Sequence, residues 1–399
     1  MRIRAFTCFV QGVVVSLALT LSGCGEPADQ DEWKSVEAED LMATCGMDPE
    51  LLETVGPAIN RPLVIVRYGK LCHEYYPEGS DATTRNLAWS TTKTLGALVT
   101  GMVAWETRDI PRTGRRTGTV ADSDRVDHWL DDFRMNPDAT LAHVLGMVGH
   151  NDDLGFGNKS YIYDTIGTMQ INRLSDVLNL AIGQDPGRLG GDLEGFAREF
   201  LFDRLGMNHS TWSDGRRDKI FAYSWLTSAR DMARVGMLIN DYGMWEGERL
   251  VDREWVYRMT HPAFEDANTA YGYLTWLNSH QPGRGGISCA PAALHGKYPH
   301  GPTFESPDCG YGEGRSCDQD YDVGLWQASG MGGQYIIGMR GLDMVIAVQN
   351  LGAESPDGLW NLIRPAVVAG DPLYKNRSDE EFCQAYAGGS YAPDFKQEL

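Results

Sequence analysis

An apolar helical stretch with a single lysine constrains the fold of this chain more than any other feature. Residues 91–106 are mostly apolar, and from Leu95 to Trp105 the large side chains recur every three or four positions. This spacing predicts a helix with a buried stripe, beginning at Ser90. Lys93 lies inside that otherwise apolar segment, where a charged amine loses its hydration. A lysine at such a position needs a structural or chemical reason.

Strand patterns lie near both ends of the chain. Near the N-terminus, the β-branched run 61–69 and the following segment 71–76 predict a hairpin. Near the C-terminus, the apolar runs 333–339 and 342–349 predict a second hairpin, and 359–368 has the pattern of a terminal helix. A sheet assembled from both ends of the chain is therefore expected.

The middle of the chain has helical periodicity instead. Turns rich in Gly, Asp and Asn separate four predicted helices, at 140–147, 168–182, 193–205 and 229–241. The patterns predict an α+β fold with an antiparallel sheet from segments 45–115 and 265–399, flanked by helices, and a mostly helical domain at 116–264 inserted between them. A Gly-, Pro- and Cys-rich stretch at 281–320 is predicted to be an inserted loop. The cleft is expected at the junction of sheet and helical domain.

The N-terminus has the architecture of an export signal. Two arginines precede a short apolar core from Phe9 to Leu21, which ends in Leu21-Ser22-Gly23-Cys24. This ending resembles the bacterial lipobox, so residues 1–23 are predicted to be a lipoprotein signal peptide, with lipidation at Cys24. Simple secretion is the alternative. A membrane span is not expected, because polar residues interrupt an apolar core shorter than the roughly twenty residues that spanning needs.

Residues 24–44 are predicted to be the lipidated cysteine followed by an acidic, solvated tether. The protein is accordingly expected at the bacterial cell envelope, attached to the membrane through an N-terminal lipid. The chain has 35 basic and 55 acidic residues, a formal net charge of −20. Such a field repels nucleic acid, so no nucleic-acid partner is expected.

Cysteine usage also indicates an exported protein. Six cysteines remain beyond the predicted signal peptide and Cys24, and in an exported chain they predict disulfides. Sequence alone leaves their pairing open, although proximity along the chain favours Cys45 with Cys72 and Cys309 with Cys317. No Cys-x-x-Cys or His-Glu-x-x-His pattern is present. Neither a metal site nor a cofactor is predicted.

The candidate chemistry lies in Ser90-Thr91-Thr92-Lys93. A serine hydroxyl becomes a good nucleophile when a base removes its proton, and a lysine whose pKa is lowered in a dry site is one such base. Positions three apart share one face of a helix, so the Lys93 amine can reach the Ser90 oxygen. The Ser90 amide at the helix start can serve an oxyanion site. The alternative is a capping serine with an exposed lysine.

Five ordered blocks resemble the serine β-lactamase-related family, which includes class C β-lactamases, penicillin-binding carboxypeptidases, esterases and nylon-oligomer hydrolases. The resemblance spans roughly residues 60–370, and its blocks are Trp89–Lys93, Asp138–Met147, Phe196–Met207, Ser228–Gly236 and Gly330–Tyr335. It implies the fold of that family and an acyl-enzyme mechanism with Ser90 as nucleophile and Lys93 as its partner base.

The family's second motif, Tyr-x-Asn, aligns with Tyr163-Asp164-Thr165. The resemblance implies that Tyr163 relays protons between serine, lysine and leaving group, and that Thr165 occupies the asparagine position beside the substrate. Tyr161 is the competing assignment. A nearby lysine favours the phenolate form of such a tyrosine, which would make it a base within reach of the leaving group.

The third motif departs from the family pattern of Lys-Thr-Gly or His-x-Gly on an edge strand. Met331-Gly332-Gly333 stands there instead, followed by Gln334. These four residues are predicted to bind substrate, with the Gln334 amide pairing with that of Ser90 around the oxyanion. A methionine cannot hold a substrate carboxylate as the motif cation does.

These departures favour a serine hydrolase acting on a small-molecule or peptide-like ester or amide. A D-Ala-D-Ala carboxypeptidase or β-lactamase is the runner-up, and the missing motif cation disfavours it. A catalytically idle envelope binding protein on the same fold is the alternative from another class, which the intact Ser90 and Lys93 pair disfavours.

Overall fold

The computed structural model describes residues 33–131, 139–148, 163, 171–212, 221–264, 271–277, 325–352 and 356–368. In chain order its strands are β1 (Leu63–Arg67), β2 (Lys70–Tyr75), β3 (Asn86–Leu87), β4 (Leu226–Thr227), β5 (Met244–Trp245), β6 (Glu248–Arg249), β7 (Trp276–Leu277), β8 (Leu325–Gly330), β9 (Gln334–Met339) and β10 (Met344–Val348). Six of them form one sheet in the order β2-β1-β10-β9-β8-β7, and every neighbouring pair is antiparallel. The predicted α+β fold, with a sheet built from both ends of the chain, is confirmed.

Helices cover both faces of the sheet. In chain order they are α1 (Leu41–Cys45), α2 (Pro49–Ile59), α3 (Thr91–Thr107), α4 (Val126–Trp129), α5 (Leu141–Leu145), α6 (Leu174–Ile182), α7 (Leu193–Phe196), α8 (Ala229–Asn240), α9 (Arg253–Met259) and α10 (Pro356–Ile363). Helix α8 packs on one face, where Gly236 lies so close that a Cβ there would be 2.4 Å from Val345. Helices α2 and α10 share a hydrophobic cluster with the opposite face. None of the described helices is long and apolar enough to cross a membrane.

Two predicted elements differ in detail from the structure. The predicted helix 193–205 is α7 followed by a π-helical segment, Ala197–Phe202. The turn between β9 and β10 is a short 3-10 helix, Arg340–Leu342, closed by Asp343 in the left-handed region with φ 45°. Neither change alters the sheet, because every residue of β10 still pairs with one of β9.

The structure describes residues 33–44 of the predicted tether, and the first four of them lie against the folded body. Trp33 lies 4.9 Å from the Arg234 guanidinium, the Ser35 hydroxyl donates to Glu74 at 3.0 Å, and the Val36 amide donates to the Leu71 carbonyl at 2.8 Å. An aromatic ring and paired polar groups can dock on the sheet edge even when the segment carries several acids. This part of the predicted tether therefore packs against the folded body, whereas residues 37–40 are exposed.

A disulfide fixes this N-terminal segment to the sheet. Cys45, at the end of α1, is bonded to Cys72 on β2, which confirms that predicted pair. The pair Cys309–Cys317, the lipobox at Cys24 and the insert 281–320 lie outside the described residues.

Helix α3 runs through the centre of the molecule, as its sequence predicts. Fourteen of its seventeen residues are buried, Lys93 among them. Two glycines allow neighbours to approach closely, since a Cβ at Gly96 would lie 2.4 Å from Phe221 and one at Gly101 would lie 2.2 Å from Trp255. The Trp255 indole also donates to the Ala97 carbonyl at 2.9 Å. The start of α3 is consequently held in one position.

Candidate active site

Ser90 stands at the N-cap of α3, immediately after a strained residue. Trp89 has φ 49°, the left-handed region that side chains other than glycine rarely adopt. Such strain, which costs about 1 to 3 kcal/mol, tends to occur where the surrounding structure holds a functional side chain. The turn is fixed on both sides, because the Ala88 amide donates to the Trp225 carbonyl at 2.7 Å and the Thr91 hydroxyl donates to the Gln334 carbonyl at 2.7 Å.

Lys93 lies against Ser90, as the helical spacing predicts. Its Nζ is 2.8 Å from Ser90 Oγ and 3.3 Å from the carbonyl oxygen of Ala222. The side chain is 3 % exposed, and burial lowers the pKa of Lys93 to about 7. No carboxylate among the described residues contributes to this shift, so desolvation alone makes the neutral amine available near neutral pH.

Tyr163 completes the arrangement. Its hydroxyl is hydrogen-bonded to Ser90, and its ring centroid is 5.1 Å from Lys93 Nζ. The residue is 37 % exposed. Burial raises the pKa of Tyr163, while the hydrogen bond with Ser90 opposes that shift. A raised pKa disfavours the phenolate form that the sequence suggests for Tyr163.

Two aromatic side chains, on β7 and in the segment before it, pack against Tyr163. Its ring lies 5.4 Å from that of Trp276 on β7 and 6.3 Å from that of Tyr271. Trp276 and Tyr271 are buried and pack edge to face at 4.9 Å. Sequence reasoning does not identify these two rings as part of the site, because an aromatic residue in a strand is normally read as core.

The end of strand β8 closes the other side of the site. A Cβ at Gly330 would lie 2.2 Å from the Ala88 carbonyl and 2.9 Å from the Thr91 hydroxyl, so only glycine allows this approach to the residues flanking Ser90. In the described part of the chain, β7 pairs with β8 only at Trp326 and Gln327. Among the described residues, the stretch 328–330 thus has no partner strand on its β7 side, next to the nucleophile.

The structure corrects the position of the third motif. Met331, Gly332 and Gly333 lie in the turn after β8 rather than on a strand, and both glycines have positive φ, 80° and 83°. Backbone hydrogen bonds join this turn to the loop after β10, from Leu351 N to Gly333 O at 2.9 Å and from Gly352 N to Gly332 O at 3.1 Å. The sequence pattern misplaced the strand end because a Gly-Gly pair is also compatible with an irregular strand.

Met331 and Gln334 differ in what they can offer a substrate. Met331 is 62 % exposed, whereas Gln334 is 1 % exposed, and its side-chain amide donates to Asn350 at 2.7 Å. The Gln334 group that reaches α3 is its carbonyl, which accepts the Thr91 hydroxyl. The role of the Gln334 amide at the oxyanion remains a prediction. Thr165 and Tyr161 lie outside the described residues.

Comparisons with known proteins identify the fold. No family model matches the sequence, and no curated protein does. Among solved structures, a candidate β-lactamase from Bacteroides dorei DSM 17855 superposes with a TM-score of 0.53 at 15% identity, covering 80% of this chain and 97% of that one. The chain has a β-lactamase-like fold.

Two further solved structures show the range of these similarities. SurE superposes with a TM-score of 0.50 at 13% identity, covering 83% of this chain and 75% of that one. A candidate 6-aminohexanoate-dimer hydrolase from Bacillus anthracis has a TM-score of 0.48 at 14% identity, covering 79% of each chain. Similarities at such identities do not establish an activity, so the chemistry has to be argued from this chain's own residues.

Within this fold, two residues that sequence reasoning missed support Lys93. Ala222 supplies the carbonyl that accepts from the amine, and Asn172 Oδ1 accepts the Ala222 amide at 3.0 Å. Neither belongs to a recognisable motif, and both come close to α3 only through the tertiary fold. In the part of the chain that the structure describes, no group of three or more His, Cys, Asp or Glu side chains could hold a metal ion.

Proposed function

We propose that this protein is a serine hydrolase that cleaves an ester or amide through an acyl-enzyme on Ser90. The contact that carries the proposal is the 2.8 Å hydrogen bond between Lys93 Nζ and Ser90 Oγ. It places a buried amine with a pKa of about 7 against a hydroxyl at the start of a helix. A neutral amine at that position is a general base matched to neutral pH.

The acylation step follows from these contacts. Ser90 Oγ attacks the substrate carbonyl carbon and its proton passes to Lys93, giving a tetrahedral oxyanion. The Ser90 amide and the open edge of β8 supply the candidate donors for that oxyanion, each worth about 3 to 4 kcal/mol in the transition state. As the bond to the leaving group breaks, Tyr163 gives its proton to the departing atom and is reprotonated from Lys93.

Deacylation uses the same groups with water as the nucleophile. Water attacks the acyl carbonyl, its proton returns through Tyr163 and Lys93 to Ser90 Oγ, and the carboxylic acid leaves. No further reactant is needed, and the enzyme ends in its starting protonation state. We assign substrate contacts to Thr165 and the turn 331–333 with Gln334, as the sequence predicts.

The exposed Met331 favours a substrate without a carboxylate at that position. A thioether offers an apolar, polarisable surface and no charge to pair with an anion. This favours a general esterase or amidase over the runner-up activity of a D-Ala-D-Ala carboxypeptidase or β-lactamase. Turnover of nitrocefin or of a peptidoglycan peptide faster than of simple esters would reverse that order.

The proposal is tested by steady-state hydrolysis of short-chain p-nitrophenyl esters. We expect Ser90→Ala to lower kcat/KM by about 10³-fold or more, since removal of a nucleophile leaves only the contribution of the remaining site. Ser80→Ala is the matched control, because Ser80 closes an unrelated turn through a bond to Pro77. Equal rates in wild type and Ser90→Ala would show an idle binding protein or a different site.

We also propose that the chain is exported and lipidated at Cys24, so that the enzyme acts at the cell envelope. The Leu-Ser-Gly-Cys sequence supports this. Expression with an isotopically labelled fatty acid should label wild type but not Cys24→Ala. Label retained in Cys24→Ala would exclude this anchor.

A further inference from the structure

The backbone of Ala222 links a side chain outside the catalytic group to Lys93. Its amide donates to Asn172 Oδ1 at 3.0 Å, and its carbonyl accepts from Lys93 Nζ at 3.3 Å. Ala222 itself is fully buried. Asn172 is therefore hydrogen-bonded, through one intervening residue, to the amine that contacts the nucleophile.

The segment around Ala222 lies directly on helix α3. Phe221 packs where Gly96 leaves room, and the Trp225 amide donates to the Thr92 hydroxyl at 3.2 Å. These contacts set the distance between the segment and α3. Among the described hydrogen bonds, the one that the Ala222 amide donates to Asn172 Oδ1 holds this amide and thereby the orientation of the residue that faces Lys93.

A neutral amine has two N–H bonds and one lone pair, so its orientation decides whether it can act as a base. An acceptor that takes one N–H turns the lone pair toward another partner, and here the other partner is the Ser90 hydroxyl. We propose that Asn172 is a positioning residue, which holds Ala222 so that the Ala222 carbonyl directs the Lys93 lone pair at Ser90. This inference rests on the proposed hydrolase function.

Among the residues that the structure describes, few charges face Lys93 from the elements around it. Of these described residues, Tyr163 has the titratable side chain in contact with Lys93. Beside Asn172, Arg173 and Asp176 pair with each other at 2.6 Å. Arg253, Glu254 and Arg258 lie on α9, and Gln327 and Ser329 are the polar side chains on β8. Arg198 and Glu199 lie on the π-helical segment that packs on α3. None of these groups contributes to the lowered pKa of Lys93. A charge introduced at position 172 would consequently be felt by Lys93 with little competition.

The test measures kcat/KM against pH for Asn172→Ala, Asn172→Asp and the control Asn179→Ala. Asn179 lies on α6, and its Oδ1 likewise accepts a hydrogen bond from a backbone amide, that of Leu193, at 2.8 Å. We expect Asn172→Ala to lower the plateau of kcat/KM about 10- to 100-fold through kcat, since small misplacements of a catalytic group have effects of this size. The acidic limb of the profile, where kcat/KM rises with pH, should move to lower pH. The reason is that the charged form of Lys93 is stabilised less when the Ala222 carbonyl is no longer held in place as its acceptor.

Asn172→Asp should behave differently, since its carboxylate still accepts the Ala222 amide but adds a negative charge. We expect a plateau within about threefold of wild type and an acidic limb moved to higher pH. Asn179→Ala should leave plateau and limb unchanged. If circular dichroism shows that Asn172→Ala does not fold, the position of the acidic limb in the pH profile of Asn172→Asp tests the inference by itself.

The inference is overturned if Asn172→Ala retains the wild-type plateau and limb, or if the limb of Asn172→Asp does not move. Labelling with a fluorophosphonate separates this failure from that of the proposed function. A wild type labelled at Ser90, together with unmoved profiles in the variants, contradicts only the positioning role. A wild type that is neither labelled nor active contradicts the hydrolase itself.

Discussion

At the scale of the residue, the burial of Lys93 favours its proposed role as a base but lowers the stability of the folded protein. Its amine is buried with no carboxylate beside it among the described residues, and burial lowers its pKa from 10.5 to about 7. Between these two pH values the unfolded chain binds more protons than the folded one. The free energy of unfolding therefore rises with pH across this window, and the desolvated lysine costs stability below it.

Replacing Lys93 with methionine should separate the two effects. We expect Lys93→Met to lower kcat/KM by about 10²- to 10⁴-fold, the range for loss of a general base. We expect it also to raise the free energy of unfolding at pH 6 by about 1 to 2 kcal/mol, because an apolar chain of similar length replaces a desolvated charge. Urea unfolding measures this, and the gain should shrink as pH rises toward 10. A less stable variant at pH 6 would contradict the desolvation argument.

The pH dependence of wild type follows from the same group. The neutral amine is the active form, so kcat/KM should rise with pH and level off above a limb near 7, the pKa of Lys93. Esters are the substrates for this measurement, after correction for spontaneous hydrolysis. A rate that falls as pH increases from 6 to 8 would mean that the ammonium form is the active one.

Residue patterns predicted some of this site and not the rest. The spacing of Ser90 and Lys93 was sufficient to predict their contact, because three positions on a helix have one geometry. The raised pKa of Tyr163 could not be predicted, since it results from burial among rings such as Trp276 and Tyr271, which lie more than a hundred positions along the chain. The roles of Asn172 and Ala222 could not be predicted, because a hydrogen bond between a side chain and a distant backbone amide imposes no recurring spacing on the sequence.

At the scale of the element, the close approach of β8 to α3 depends on one glycine. A Cβ at Gly330 would lie 2.2 Å from the Ala88 carbonyl, a backbone atom that cannot move aside cheaply. We expect Gly330→Ala to lower the free energy of unfolding by about 1 to 3 kcal/mol and to reduce kcat/KM, since the strand must shift away from Ser90.

Gly114→Ala is the matched control for that substitution. Gly114 has open space around a Cβ and no positive φ, so its replacement should change neither stability nor rate noticeably. Chemical unfolding and ester hydrolysis measure both effects. Equal stability and rate for Gly330→Ala and Gly114→Ala would show that β8 does not abut the nucleophile turn.

Helices and strands with a strong hydrophobic periodicity could be predicted from the sequence. Elements that depend on capping residues or on distant hydrogen bonds were harder to predict. The hairpin of β1 and β2 and the buried helix α3 were evident from β-branched runs and apolar spacing. Helix α2 was missed, although Asp48 caps it by accepting from Glu50 and Leu51 and Pro49 is its first residue. The sequence pattern predicts strand for the turn 331–333, because the hydrogen bonds of this turn to the loop after β10 join residues that no local pattern connects.

At the scale of the whole molecule, the Cys45–Cys72 disulfide ties α1 to the sheet edge opposite the site. Cys72 is on β2, whereas the site adjoins β8, and β1, β10 and β9 lie between them in the sheet. The bridge closes a loop with a sequence separation of 27. A loop of that length is worth about 3 to 4 kcal/mol in the chain-entropy estimate.

We therefore expect the double variant Cys45→Ala, Cys72→Ala to lose about 3 kcal/mol of unfolding free energy while keeping kcat/KM near wild type at 25 °C. Thermal unfolding and ester hydrolysis on the same preparation give both quantities. A large loss of activity in protein that is still folded would mean that the N-terminal segment contributes to the site.

The central claim is that Ser90 is a nucleophile activated by its contact with Lys93. Mass spectrometry after reaction with a fluorophosphonate tests it most directly, because that reagent is attacked only by an activated hydroxyl. We predict one adduct per chain on the peptide that contains Ser90, and none on Ser90→Ala, with labelling of Lys93→Met slowed at least a hundredfold, within the range for loss of a general base. An unlabelled wild type, or an adduct on another serine, would contradict the account.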